Sequence, residues 1–107
     1  MWVKSFREPG KLSPPDARSL SSSCVRLAPG ARVGEHVTAS KEELLFVLEG
    51  EATVLVGDTA KVVATGHAAY VPPETLHDVA NAATSPLTYV YVTAKLPSDG
   101  PRAGTKP

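Results

Sequence analysis

Two histidines in this chain each sit in a spaced pattern that can bring a carboxylate to them. The first pattern runs Gly30, His36, Thr38, Glu43 and Gly50, and the second runs Gly66, Pro72, Glu74, His77 and Asn81. Imidazole nitrogen and carboxylate oxygen suit a divalent ion of iron, manganese, nickel, copper or zinc. His36, Glu43 and His77 are therefore the candidate metal ligands, a set that leaves part of the coordination sphere open to a substrate. Glu43 is followed by Leu44, Leu45 and Phe46, and a carboxylate buried in such company is costly unless a cation or donor meets it. Each residue also has a plainer role. His36 could be a loop histidine, and His77 a core histidine satisfied by a carbonyl. A different register would turn Glu42 inward and leave Glu43 in solvent.

The elements that must position these residues read as strands. Strand-like segments cover Ser22 to Leu27, Glu43 to Glu49, Ala52 to Val56, Ala60 to Ala64, Ala68 to Val71, His77 to Asn81 and Pro86 to Ala94, with apolar runs clearest in Glu43 to Glu49 and Ala52 to Val56. Turn residues separate them at Glu49-Gly50-Glu51, Gly57-Asp58, Gly66 and Pro72-Pro73. Short strands with turn signals this frequent predict an all-β barrel or sandwich. Gly50 is read as the corner of a hairpin. Alternation puts residues two apart on one face, so His36 goes with Thr38, Glu43 with Leu45 and Val47, and His77 with Val79 and Asn81. If two hairpins face each other across a barrel, His36, Glu43 and His77 meet inside it. Tyr89 and Tyr91 also share a face, so either both line that interior or neither does. His67 follows a turn glycine and is expected to be exposed.

The chain has 107 residues, 42 % hydrophobic content and a formal net charge of +0, which describes one ordinary globular domain. Residues 1–18 are broken by Pro9-Gly10 and Pro14-Pro15 and read as an N-terminal arm or edge element, with Trp2, Val3 and Phe6 to bury. Residues 19–96 form the barrel, and residues 97–107 a flexible tail of low apolar content. Acidic residues crowd the middle of the chain and basic ones the arm, which is solvated surface or a basic arm docked on an acidic body. The charge balance gives no sign of nucleic acid binding. No apolar run reaches membrane-spanning length and the N-terminus lacks a signal-peptide core, so a cytoplasmic location is expected. A lone cysteine, Cys24, allows no internal disulfide and reads as a buried thiol. Leu44 to Leu48 is apolar on both faces. The outer face then needs a second sheet, the arm or another subunit, and a homodimer is expected.

On these two motifs the chain resembles the cupin superfamily, in particular its small single-domain members. Gly30, His36, Glu43 and Gly50 match the first cupin motif, and Gly66, Pro72, His77 and Asn81 the second, over roughly residues 20 to 95. The resemblance implies a six- to eight-stranded antiparallel, jelly-roll-like barrel with a metal in its wider mouth. It also implies a small-molecule substrate and dioxygenase, isomerase or lyase chemistry. Two residues depart from the pattern. Glu74 stands at a motif glycine, and Thr38 replaces the second metal histidine, leaving the three-ligand set. Two other functions fit such a barrel. Some relatives use a histidine base with a tyrosine acid, for which Tyr89 and Tyr91 are the catalytic candidates, and others bind or sense a small ligand without chemistry.

Overall fold

A computed structural model describes residue 5, residues 10–13 and residues 17–97. Nine strands run through them: β1 (Gly10–Leu12), β2 (Leu20–Leu27), β3 (His36–Val37), β4 (Lys41–Glu49), β5 (Glu51–Val56), β6 (Thr59–Ala64), β7 (Ala68–Val71), β8 (Leu76–Ala80) and β9 (Leu87–Lys95). They make a five-stranded sheet in the order β1-β2-β9-β4-β7 and a four-stranded sheet in the order β3-β8-β5-β6. Every pairing is antiparallel. The strand number exceeds the expected six to eight because of two short elements, the three-residue β1 and the two-residue β3. Gly10–Leu12 of the arm is thus an edge strand on β2. Trp2, Val3 and Phe6, and the tail beyond Pro97, lie outside the described residues.

One expected hairpin is not there. β4 pairs with β7 and β9, whereas β5 pairs with β6 and β8. Gly50 therefore carries the chain from one sheet to the other rather than back along a partner. Its φ of 79° lies where a side chain is disfavoured. The hairpin proper is β5–β6, closed by Gly57-Asp58 with Val56 opposite Thr59. Gly57 has φ 61°, the glycine-first arrangement of a tight two-residue loop.

Alternation sorts each strand into an inner and an outer row. Leu45, Val47, Ala52, Val54, Val63, Val79, Leu87 and Tyr89 pack as the core between the sheets. In the outer row of β4, Leu44, Phe46 and Leu48 are 38, 39 and 39 % exposed, so the second apolar face seen in the sequence remains at the surface. Cys24 is buried. Among the described residues no helix is long and apolar enough to cross a membrane.

Glu74 shows why the departure from a motif glycine matters. It keeps the backbone that glycine would adopt, at φ 54°, and its N–H donates to the carbonyl of Ala39, itself at φ 56° (2.8 Å). Holding a side chain in this region costs about 1–2 kcal/mol, partly offset by the smaller entropy loss of a non-glycine residue. Glu74→Gly is therefore expected to stabilise the protein by roughly 0.5–1 kcal/mol. A rise in the urea midpoint at unchanged slope would show this; a fall would refute the strain.

Candidate metal centre

The site is assembled from both sheets. His36 on β3 lies directly opposite His77 on β8, as neighbours in one sheet. Glu43 reaches them from β4 in the other sheet, where it sits between Val71 and Thr93. The histidines thus do not face each other across the barrel, as two opposed hairpins would require; only Glu43 spans the interior. Glu43 is the inward carboxylate, while Glu42 points out and accepts a hydrogen bond from the Tyr70 hydroxyl (2.9 Å). One ligand atom from each of His36, Glu43 and His77 lies within 4.8 Å of the others. The two imidazole centroids are 3.9 Å apart with a 56° tilt.

Backbone carbonyls fix both rings. His36 Nδ1 lies 2.8 Å from Gly34 O, and His77 Nδ1 lies 3.1 Å from Thr75 O. A carbonyl can only accept, so Nδ1 carries the proton and each Nε2 keeps a lone pair for the site. His77 Nε2 is buried and has no hydrogen-bond partner; Glu43 Oε1 is 3.5 Å away, too far for a good bond. A buried lone pair left this way is destabilising. With a carboxylate and a second imidazole beside it, a divalent cation is the group that satisfies it. Burial pushes the Glu43 carboxyl above its ordinary range, and the neighbouring His77 and His36 offset part of the rise.

Thr38 does not replace the missing imidazole. Its hydroxyl donates to Pro72 O (2.7 Å) and accepts from the Thr75 N–H (3.0 Å). It braces the turn whose Thr75 carbonyl orients His77. Asp78 holds the other ring. Its Oδ1 accepts from the Gly34 N–H (2.8 Å) and its Oδ2 from Arg32, through Nε (2.7 Å) and Nη2. Gly34 then receives His36 Nδ1, so Asp78 positions His36 through the loop before β3. Sequence reasoning missed this clamp. An aspartate beside His77, in a strand of otherwise apolar residues, was its one visible signal; Arg32 lies 46 positions away and no local pattern couples them.

Burial alone would raise the Asp78 carboxyl, but Arg32 and the Gly34 N–H hold it below the usual carboxylate range. A depressed folded value contributes stability above the unfolded value, roughly pH 4, and loses it as pH falls through the lower folded value. Wild type is therefore expected to lose this contribution below about pH 4, and Asp78→Ala to lack that acid limb. At neutral pH Asp78→Ala should bind metal roughly tenfold to a hundredfold more weakly, as when other outer partners of ligands are removed. Calorimetric titration and acid-denaturation curves would measure both; unchanged affinity would separate the clamp from the site.

Tyr89 and Tyr91 both line the cavity that holds the three ligands, about 510 Å³ in volume, together with Thr38 and Thr93. Burial, then the charge of Glu43, pushes the Tyr89 phenol well above its ordinary value. It stays protonated, able to donate a hydrogen bond but poorly disposed to give up a proton. Asn81 is not at the site, although alternation put it on the face of His77. It lies beyond the end of β8, where its side chain donates to Leu27 O (3.0 Å) and Ser85 O (2.8 Å) and accepts from the Ala83 N–H (3.1 Å). It pins a loop. His67 is exposed and lines a separate cavity between β6 and β7.

The profile of the Cupin domain family matches residues 23–93, and the chain belongs to that family. A structure of TT1209 from Thermus thermophilus is similar at TM-score 0.78 and 28 % identity, covering 91 % of this chain and 100 % of that one. Oxalate oxidase in complex with the substrate analogue glycolate shares the fold at TM-score 0.67 and 21 % identity, over 72 % of this chain and 42 % of that one. Mannose-1-phosphate guanylyltransferase RfbM of Salmonella typhimurium is 26 % identical over 88 residues, or 81 % of this chain. The chain spans only 18 % of the length of that curated relative.

Proposed function

We propose that the chain holds one divalent transition metal through His36, Glu43 and His77 and acts on a small oxygen- or sulfur-bearing metabolite, as a dioxygenase, isomerase or lyase would. The observation that carries this is the buried, unpartnered Nε2 of His77 beside Glu43, with a second imidazole in reach. When bound, the metal supplies Lewis-acid polarisation of a ligand oxygen or sulfur. The residues of the chain supply the rest. The carbonyls of Gly34 and Thr75 keep both imidazoles in one tautomer. Glu43 brings the negative charge, and the protonated Tyr89 offers a donor from the wall. The apolar core beneath the site excludes water and strengthens these interactions.

Cobalt(II) added to chelator-treated protein tests this reading. The expected result is a visible absorption that His77→Ala lacks and that glycolate or a small thiol alters. No absorption, or one indifferent to such ligands, would refute it. One observation favours a second function, a small-molecule binder without chemistry: the Thr38 hydroxyl is spent on the Pro72–Thr75 turn, leaving one imidazole fewer than the family pattern. A metabolite that raises the melting temperature equally with and without metal would favour that function. A homodimer is also proposed, through the exposed Leu44, Phe46 and Leu48 of β4; Phe46→Glu should then shift the mass measured by light scattering.

A further inference from the structure

The cavity around His36, Glu43 and His77 has a feature that metal binding leaves unused: a rim of lysines. Lys11 of β1 and Lys41 of β4 both line it. Lys41 lies two residues before Glu43 and so on the same inner row. Directly opposite Lys41 on β9 is Lys95. Like charges facing each other across a strand pair are destabilising. Among the described residues none of these three lysines is joined to a carboxylate in an ion pair. Glu43 is the sole carboxylate among the described residues lining the cavity, and it is grouped with His36 and His77. Among the described residues lining the cavity, no carboxylate beyond Glu43 is there to relieve this rim.

We propose that the cavity takes a small organic acid, its acid group held at the rim by Lys41 with Lys11 and Lys95 nearby, and its second donor directed at His36, Glu43 and His77. This assignment rests on the metal-centred reading above. The dimensions agree. Two residues along a strand span about 7 Å, so an acid group at Lys41 lies a few carbon atoms from a donor at the level of Glu43. The cavity of about 510 Å³ admits a molecule of that size. With a divalent ion in place the wall becomes more positive still, which draws an anion in. Thr93 lies opposite Glu43, and Tyr91 and Tyr89 follow on the side of Glu43 away from Lys41, so that these residues line the cavity at and below the level of the ligands.

Succinate and its uncharged-end counterpart, monomethyl succinate, test the assignment by calorimetry on nickel(II)-treated and metal-free protein. The variants are Lys41→Met, which keeps the length of the stem, and Lys41→Glu. Succinate should bind more tightly than the half-ester, roughly fivefold weaker to Lys41→Met than to wild type and weaker still to Lys41→Glu. Nickel content should stay the same in all three. Equal binding of acid and half-ester, or of wild type and Lys41→Glu, would overturn the assignment even where nickel binds normally. Failure of nickel to bind would overturn the metal-centred reading instead, and the charge contrast would still be read on metal-free protein.

Discussion

His77→Ala protein is expected to fold and to bind no metal. The imidazole is 1 % exposed, yet its outward nitrogen contributes no hydrogen bond to the fold, and its Nδ1 satisfies only the Thr75 carbonyl. Removing an outer partner of a metal ligand costs 10–100-fold in affinity; removing the ligand itself should cost more, at least about a hundredfold. The loss in stability should be small, about 1–2 kcal/mol for a cavity that opens into a larger one. Glu43→Gln separates the two effects further. The Glu43 carboxyl is raised by burial, with His77 and His36 offsetting part of the rise. A raised folded value contributes stability below the unfolded value and loses it as pH rises through the folded one. Metal-free wild type should therefore weaken from the ordinary carboxylate range upward, and Glu43→Gln should not. At neutral pH the amide variant should be as stable as metal-free wild type or more so, and should bind no metal. A variant that lost its fold together with its metal would mean these residues are structural.

Gly50→Ala should be among the most destabilising single substitutions in the barrel. Gly50 has φ 79°, and a Cβ there would lie 2.3 Å from the Pro86 carbonyl oxygen and 3.2 Å from Leu87 Cα. The neighbour is backbone at the start of β9, beside a fully buried Leu87, so it cannot swing away as a side chain would. Backbone strain of about 1–2 kcal/mol adds to overpacking of about 1–3 kcal/mol. The expected total is about 3 kcal/mol, or a fall in melting temperature of more than about 10 °C for a domain of this size. A loss below about 1 kcal/mol would show that β9 can move aside. Metal affinity, by contrast, should survive at temperatures where the variant is folded, because Gly50 touches none of the three ligands.

Much of this was legible from residue order. Strand positions followed from apolar runs and turn residues, whereas alternation alone left Glu42 or Glu43 free to face inward, because Leu44 to Leu48 is apolar on both faces; the motif spacing favoured Glu43. His36, Glu43 and His77 stood out because each fell in a spaced motif, and Tyr89 and Tyr91 line the cavity together, as residues two apart on one strand must. The partners of the strands were less accessible. The turn at Gly50 looks like a hairpin because a change of sheet and a reversal both require a positive φ. Asn81 obeys alternation only as far as β8 extends, and the strand ends one residue too soon. The Arg32–Asp78–Gly34 clamp depends on a contact between distant segments, which strand periodicity does not record. Thr38 was visible as a departure from the motif, but its use as a brace for the Pro72–Thr75 turn required the fold.

Elemental analysis of protein purified without a histidine tag, beside a His36→Ala, His77→Ala double variant, tests the metal centre most directly. Near-stoichiometric divalent metal in the wild type and none in the variant is the expected result. No retained metal in either protein, even after reloading with iron, manganese, nickel, copper or zinc, would contradict it.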